Sequence, residues 1–90
     1  MKTATFLGKT WRVIFSRRKS EYGKIESPTK KGKRIILPPP HTVTPEEELC
    51  TAIHEALHAC MWWLDEEYVD DISRCLARFL WRLGYRKEDE

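Results

Sequence analysis

The sequence predicts an α+β fold, a three-stranded antiparallel meander followed by two packed helices, and two observations carry that expectation. Short β-branched and aromatic runs separated by Ser, Pro, Gly and Lys occupy residues 1–40, whereas longer stretches with apolar residues at i, i+3 and i+4 occupy 44–84. The period changes at Pro38-Pro39-Pro40, which cannot extend a central strand. The 90 residues are read as a single domain: 1–40 the sheet, 44–84 the helical pair and 85–90 a charged tail.

Three strands are expected at Trp11–Phe15, Glu21–Glu26 and Lys33–Leu37, with turns over Ser16–Ser20 and Ser27–Gly32. Thr44-Pro45-Glu46-Glu47 is a helix start, with Thr44 as N-cap, Pro45 at the first helical position and Glu47 placed for a capping box. The first helix is expected from Pro45 to Trp62, with Leu49, Ala52, Ile53, Ala56, Leu57, Cys60 and Met61 as its apolar face. Leu64-Asp65 then starts a second helix, Asp65 as cap and Leu64 as a staple to Val69. Val69, Ile72, Leu76, Phe79, Leu80 and Leu83 form its apolar stripe, and Gly84 ends it.

No apolar run approaches the roughly 20 residues that cross a bilayer, and Lys9 and Arg12 interrupt the N-terminal stretch, so a membrane partner is excluded and an intracellular, cytoplasmic location is expected. Cys50, Cys60 and Cys75 are odd in number and lack a Cys-x-x-Cys pair; they are read as buried free thiols. The net charge of +2 hides an asymmetry: residues 1–40 carry eleven Lys or Arg against Glu21 and Glu26, while residues 41–90 carry five against twelve acids. The clusters Arg17-Arg18-Lys19 and Lys30-Lys31-Gly32-Lys33-Arg34 admit a nucleic-acid partner, but both fall in expected turns and are read first as solvated charge.

The chemistry lies in His54-Glu55-Ala56-Leu57-His58. Residues four apart share a helical face, so both imidazoles reach one metal ion, and Glu55, about 100° round from His54, can approach water activated there. Zinc suits two neutral imidazoles, and a catalytic zinc needs a third protein ligand. The second helix offers Asp65, Glu66, Glu67, Asp70 and Asp71. At about 100° per residue, Glu67 and Asp71 share a face with Arg74, Arg78 and Arg82, which reads as solvated ion pairing. Glu66 and Asp70 align with Ser73, Ala77 and Trp81, a flank that can lie against protein. Glu66 is therefore the expected third ligand, with Glu67 or Asp70 as alternatives, and Asp70 is expected to accept from a histidine N–H. His41 after the prolines is a weaker ligand candidate. Tyr22 and Tyr68 are candidate donors to a developing oxyanion, and Trp62, Trp63 and Trp81 read as packing or partner surface.

Thr51-Ala52-Ile53-His54-Glu55-Ala56-Leu57-His58-Ala59, followed by Leu64-Asp65-Glu66-Glu67-Tyr68-Val69 and a helix ending Leu80-Trp81-Arg82-Leu83-Gly84-Tyr85, resembles the small zinc metallopeptidases common in phage and prophage genomes. These are similar to minimal gluzincins and to ImmA/IrrE-like peptidase domains. The resemblance covers most of the chain, and the His-Glu-x-x-His element is its specific part. It implies a minimal zincin-like fold, Zn2+ held by His54, His58 and Glu66, Glu55 as general base, and a host-cell cytoplasmic location. The interval between His58 and the acidic helix is shorter than in that family.

Three functions follow as expectations. The first is a zinc-dependent peptidase acting on a peptide or protein substrate, with Lys33–Leu37 as the free strand edge that aligns an extended chain. The second is a non-catalytic zinc-stabilised interaction module. The third is a nucleic-acid-binding module that uses the basic sheet.

Overall fold

The computed structural model describes residues 2–18, 23–39 and 42–86. It is a small α+β fold in which a four-stranded mixed sheet meets two packed helices. The strands are β1 (Lys2–Phe6), β2 (Lys9–Phe15), β3 (Lys24–Ile25) and β4 (Arg34–Leu37); the helices are α1 (Pro45–Cys60) and α2 (Glu66–Arg82).

The expected antiparallel meander is replaced by a different topology. The strand order is β1-β2-β4-β3, with β2 and β4 parallel (Val13 opposite Ile35) and the β1–β2 and β3–β4 pairs antiparallel. β1 is a strand that the sequence pattern did not announce. It joins β2 through the two-residue turn Leu7-Gly8, both at positive φ (50° and 78°), which is the geometry of a type I′ hairpin. Leu rarely occupies such a position, so the usual Asn-Gly signature is missing. The second expected strand is reduced to Lys24–Ile25, its proposed start at Glu21 and Tyr22 lying outside the described residues.

β4 is interior for a physical reason. Ile35 and Ile36 project to opposite faces, yet they are only 4% and 5% exposed, so the strand is covered on both sides. The two-residue β3, with Lys24 exposed, takes the edge instead. The expectation that Lys33–Leu37 is a free edge is therefore corrected. Trp11, Ile35 and Ala59 form the core, with Ala4, Phe6, Ile25 and Leu37 packed around them. The buried indole N–H of Trp11 donates to the Glu26 carbonyl at 3.0 Å, which removes the cost of an unpaired donor.

α1 starts as its sequence signals require: the Thr44 hydroxyl accepts from the Glu47 N–H at 3.2 Å and Pro45 fills the first turn. It ends at Cys60, two residues before the expected Trp62, where Met61 closes the helix and bonds back to Leu57. Asp65 occupies the N-cap position of α2, but its side chain makes no capping bond. At the other end Gly84 (φ +90°) and Tyr85 donate to the Trp81 and Leu80 carbonyls, a Schellman termination.

The inward faces differ from the bulky stripes read from the sequence. α1 buries Glu55 and Ala59, and α2 buries Val69, Ser73 and Ala77, a small-residue row at i, i+4, i+8. Small residues let α1 and α2 approach closely, and this leaves Leu76, Phe79 and Leu83 of the expected core stripe exposed. Cys75 is exposed too, contrary to its reading as a buried thiol, while Cys50 and Cys60 are half-buried. Among the described residues no helix is long and apolar enough to cross a membrane.

Candidate metal centre

His54 and His58 stand one turn apart on α1 and face the first turn of α2. Their rings are 4.8 Å apart between centroids and steeply inclined, and their Nε2 atoms approach to 3.1 Å. The Glu66 carboxylate reaches both: Oε1 lies 2.7 Å from His54 Nε2 and Oε2 lies 2.8 Å from His58 Nε2. The short link Met61–Asp65 makes this possible, because α2 turns back so tightly that its first residue returns to the face of α1 bearing both histidines.

Asp70, one turn after Glu66, places Oδ1 3.1 Å from His54 Nδ1. An acceptor there suits a donor Nδ1–H and leaves Nε2 as the ring atom that faces Glu66 and His58. Glu67 and Asp71 do not face this cluster. Asp71 instead accepts from Arg74 at 2.7 Å on the exposed side of α2.

The donor set could hold a metal ion, and its atom types are those zinc takes. Two imidazole nitrogens and a carboxylate oxygen lie within 4.8 Å of one another. Ligand bonds of roughly 2.0–2.2 Å in a tetrahedron separate the ligand atoms by about 3.3 Å. The 3.1 Å between the Nε2 atoms is close to that separation, and the nitrogen-to-oxygen approaches are tighter.

Glu55 is the least expected feature of α1. It is 2% exposed, its Oε1 lies 3.8 Å from His54 Nε2, and its Oε2 is buried without a hydrogen-bond partner. Burial, followed by the negative charge of Glu66, pushes its pKa up to about 8. Gly23, at φ +67°, lies against it so closely that a Cβ there would sit 3.8 Å from Glu55 Oε1. A buried carboxyl with one idle oxygen, next to two histidines, is equipped to exchange a proton with a small molecule beside it.

Two openings meet at this point. A cleft of about 610 Å³ runs from Ile25, Glu26 and Arg34 past Glu55 and His58 to Trp62 and Leu64. A second, of about 400 Å³, lies beside His54, Asp70 and Ser73. Gly23, Glu55 and Glu66 line both.

The remaining sequence candidates divide. Trp62 stands over the cleft with its ring 6.3 Å from that of His58. Tyr68 is exposed and lines neither opening, Trp63 is exposed, and Trp81 lies half-buried at the far end under Arg86. His41 and Tyr22 lie outside the described residues. Lys30 and Arg34 pair with Glu26, and Lys33 lies over the Trp11 ring, so this part of the basic half is committed to internal contacts. Sequence reasoning missed the wall contributed by Gly23, Lys24, Ile25 and Glu26, because nothing local to β3 signals that it pairs with β4 and abuts α1. No family model, no curated protein and no solved structure matches this chain.

Proposed function

We propose that this chain is a zinc-dependent peptidase of minimal zincin-like design. The observation that supports this reading is the convergence of His54, His58 and Glu66 beside a buried Glu55 that has an idle oxygen. His54, His58 and Glu66 would hold the metal. When bound, zinc would supply a Lewis acid that polarises the scissile carbonyl and acidifies water. Glu55 takes a proton from the attacking water as the water oxygen bonds to the carbonyl carbon, and then delivers that proton to the amide nitrogen as the C–N bond breaks. Asp70 keeps the His54 ring in register. The substrate lies in the 610 Å³ cleft, where the β3 edge, in place of the interior β4, offers backbone groups to an extended chain.

A second reading has one observation in its favour. His54 and His58 on α1 and Glu66 on α2 join the two helices, so a metal there would cross-link a thin core without any catalysis. Zinc content and cleavage separate the two readings. Purified protein should hold one zinc per chain, lost in His54→Ala; protein without metal and indifferent to chelators would overturn both. Glu55→Gln should retain zinc while peptide cleavage falls by about a hundredfold or more, and unchanged cleavage would remove the peptidase reading.

A further inference from the structure

Residues 65–71 hold five acids and no base, whereas residues 72–86 hold four arginines and no acid. α2 is thus acidic at one end and basic at the other, an arrangement the helix dipole favours. It also leaves Arg78 and Arg82 with no acid within four positions on their own helix, while Arg74 alone meets Asp71.

Along the same helix runs an apolar seam on the flank beside the buried Val69, Ser73 and Ala77 row. Tyr68, Ile72, Leu76, Phe79 and Leu83 follow spacings of 4, 4, 3 and 4, and the two largest hydrophobes of its second half, Phe79 and Leu83, are each 59% exposed. The spacing is that of a helix-pairing seam. Tyr68, Leu76, Phe79 and Leu83 are exposed, and Ile72 is half-buried among them.

We propose that α2 pairs antiparallel with α2 of a second copy of this chain, around a two-fold axis near Cys75 and Leu76. Charge selects both the partner and the direction. In an antiparallel two-fold pair, the same flank of each helix lies on the same side, so Glu67 and Asp71 of one copy come beside Arg78 and Arg82 of the other. A parallel pair would set acid level with acid and arginine level with arginine. The seam is self-complementary under the same operation, Tyr68 opposite Leu83 and Ile72 opposite Phe79, and Cys75, exposed beside the seam, falls within a residue of the axis. The α2 face carrying Glu66 and Asp70 is turned towards α1, so the metal centres stay open at opposite ends of the pair. A helix of 17 residues, about 25 Å long, offers a seam short for a permanent interface, so monomer and dimer exchange in the micromolar range.

Sedimentation equilibrium of the full chain, from low to high micromolar concentration, should show a monomer–dimer equilibrium. Phe79→Lys should raise the dissociation constant at least tenfold, with an unchanged far-ultraviolet circular dichroism spectrum; should that variant fail to fold, Leu83→Lys serves in its place. Arg82→Glu should weaken pairing, and adding Asp71→Arg to it should recover most of the loss. A short bismaleimide should capture the dimer through Cys75 and not in Cys75→Ser. A chain that stays monomeric throughout, a dimer indifferent to the seam lysine, or a charge exchange without recovery would each overturn the proposal.

Discussion

Glu26 on the sheet side and Glu55 on α1 line the same cleft, yet they carry opposite proton affinities. Glu26 accepts from Arg34 Nε at 2.8 Å and Nη2 at 3.2 Å, and from Lys30, and these donors hold its pKa down at about 2. Glu55 has an oxygen without any donor, is buried, and faces the Glu66 carboxylate; its pKa rises to about 8. The side-chain chemistry is identical, so the surroundings alone divide the two into a fixed anion and a proton carrier. Glu26 is thus held as an anion by its own ion pairs, while Glu55 keeps a buried oxygen without a donor.

Four measurements break or sharpen that contrast. The largest effect belongs to Glu66, which both histidines contact: Glu66→Ala should weaken zinc binding more than about a hundredfold in a competitive chelator titration, whereas Glu67→Ala should leave it nearly unchanged. The reverse result would move the ligand to the solvated face. Next is the stability linked to Glu55, measured by denaturant unfolding in the presence of a chelator. Because its folded pKa lies above the ordinary carboxylate value of 4.5, the folded state holds a proton that the unfolded chain releases, and stability falls as pH rises from 4.5 towards 8. Glu55→Gln removes that loss, so the variant should gain up to a few kcal/mol on wild type at pH 8–9 and the gain should vanish towards pH 4.5.

Asp70→Asn should lower zinc affinity by about 10- to 100-fold, since the acceptor that orders His54 is weakened without loss of a ligand. The smallest effect is at Glu26. Its depressed pKa means that the pairing stabilises the fold above pH 4.5 and is lost as pH falls towards 2. Its cationic partners are substantially solvated, so Glu26→Gln should cost only about 1 kcal/mol at pH 7 and nothing near pH 2, as read by thermal unfolding.

Local signals were legible in the sequence. Thr44 and Pro45 start α1 because capping is decided by a few neighbouring residues, and the four-residue spacing of His54 and His58 places them on one face. Glu66 and Asp70 share the flank of α2 that carries Ser73 and Ala77, and both of those small residues are buried. What failed was non-local. Strand order depends on partners far apart in sequence, so the parallel β2–β4 pair and the edge position of β3 had no local sign. The hairpin at Leu7-Gly8 lacked its usual residues. Of the apolar stripe expected on α2, Val69 is buried and Ile72 and Leu80 are half-buried, while Leu76, Phe79 and Leu83 are exposed, because periodicity weighs bulk and close helix contact selects for smallness. The same bias hid the burial of Glu55, a residue that any hydrophobicity scale directs outward.

The strand that closes over Glu55 is two residues long, and Gly23 ahead of it rests on the carboxylate. Elements held by so few ladder bonds open at a small fraction of the free energy of global unfolding. Each opening wets Glu55 and frees its proton. Breathing of β3 is therefore recorded in the acid strength of a group on another element, and amide exchange at Glu26, whose N–H bonds the Arg34 carbonyl, becomes a clock for its hydration.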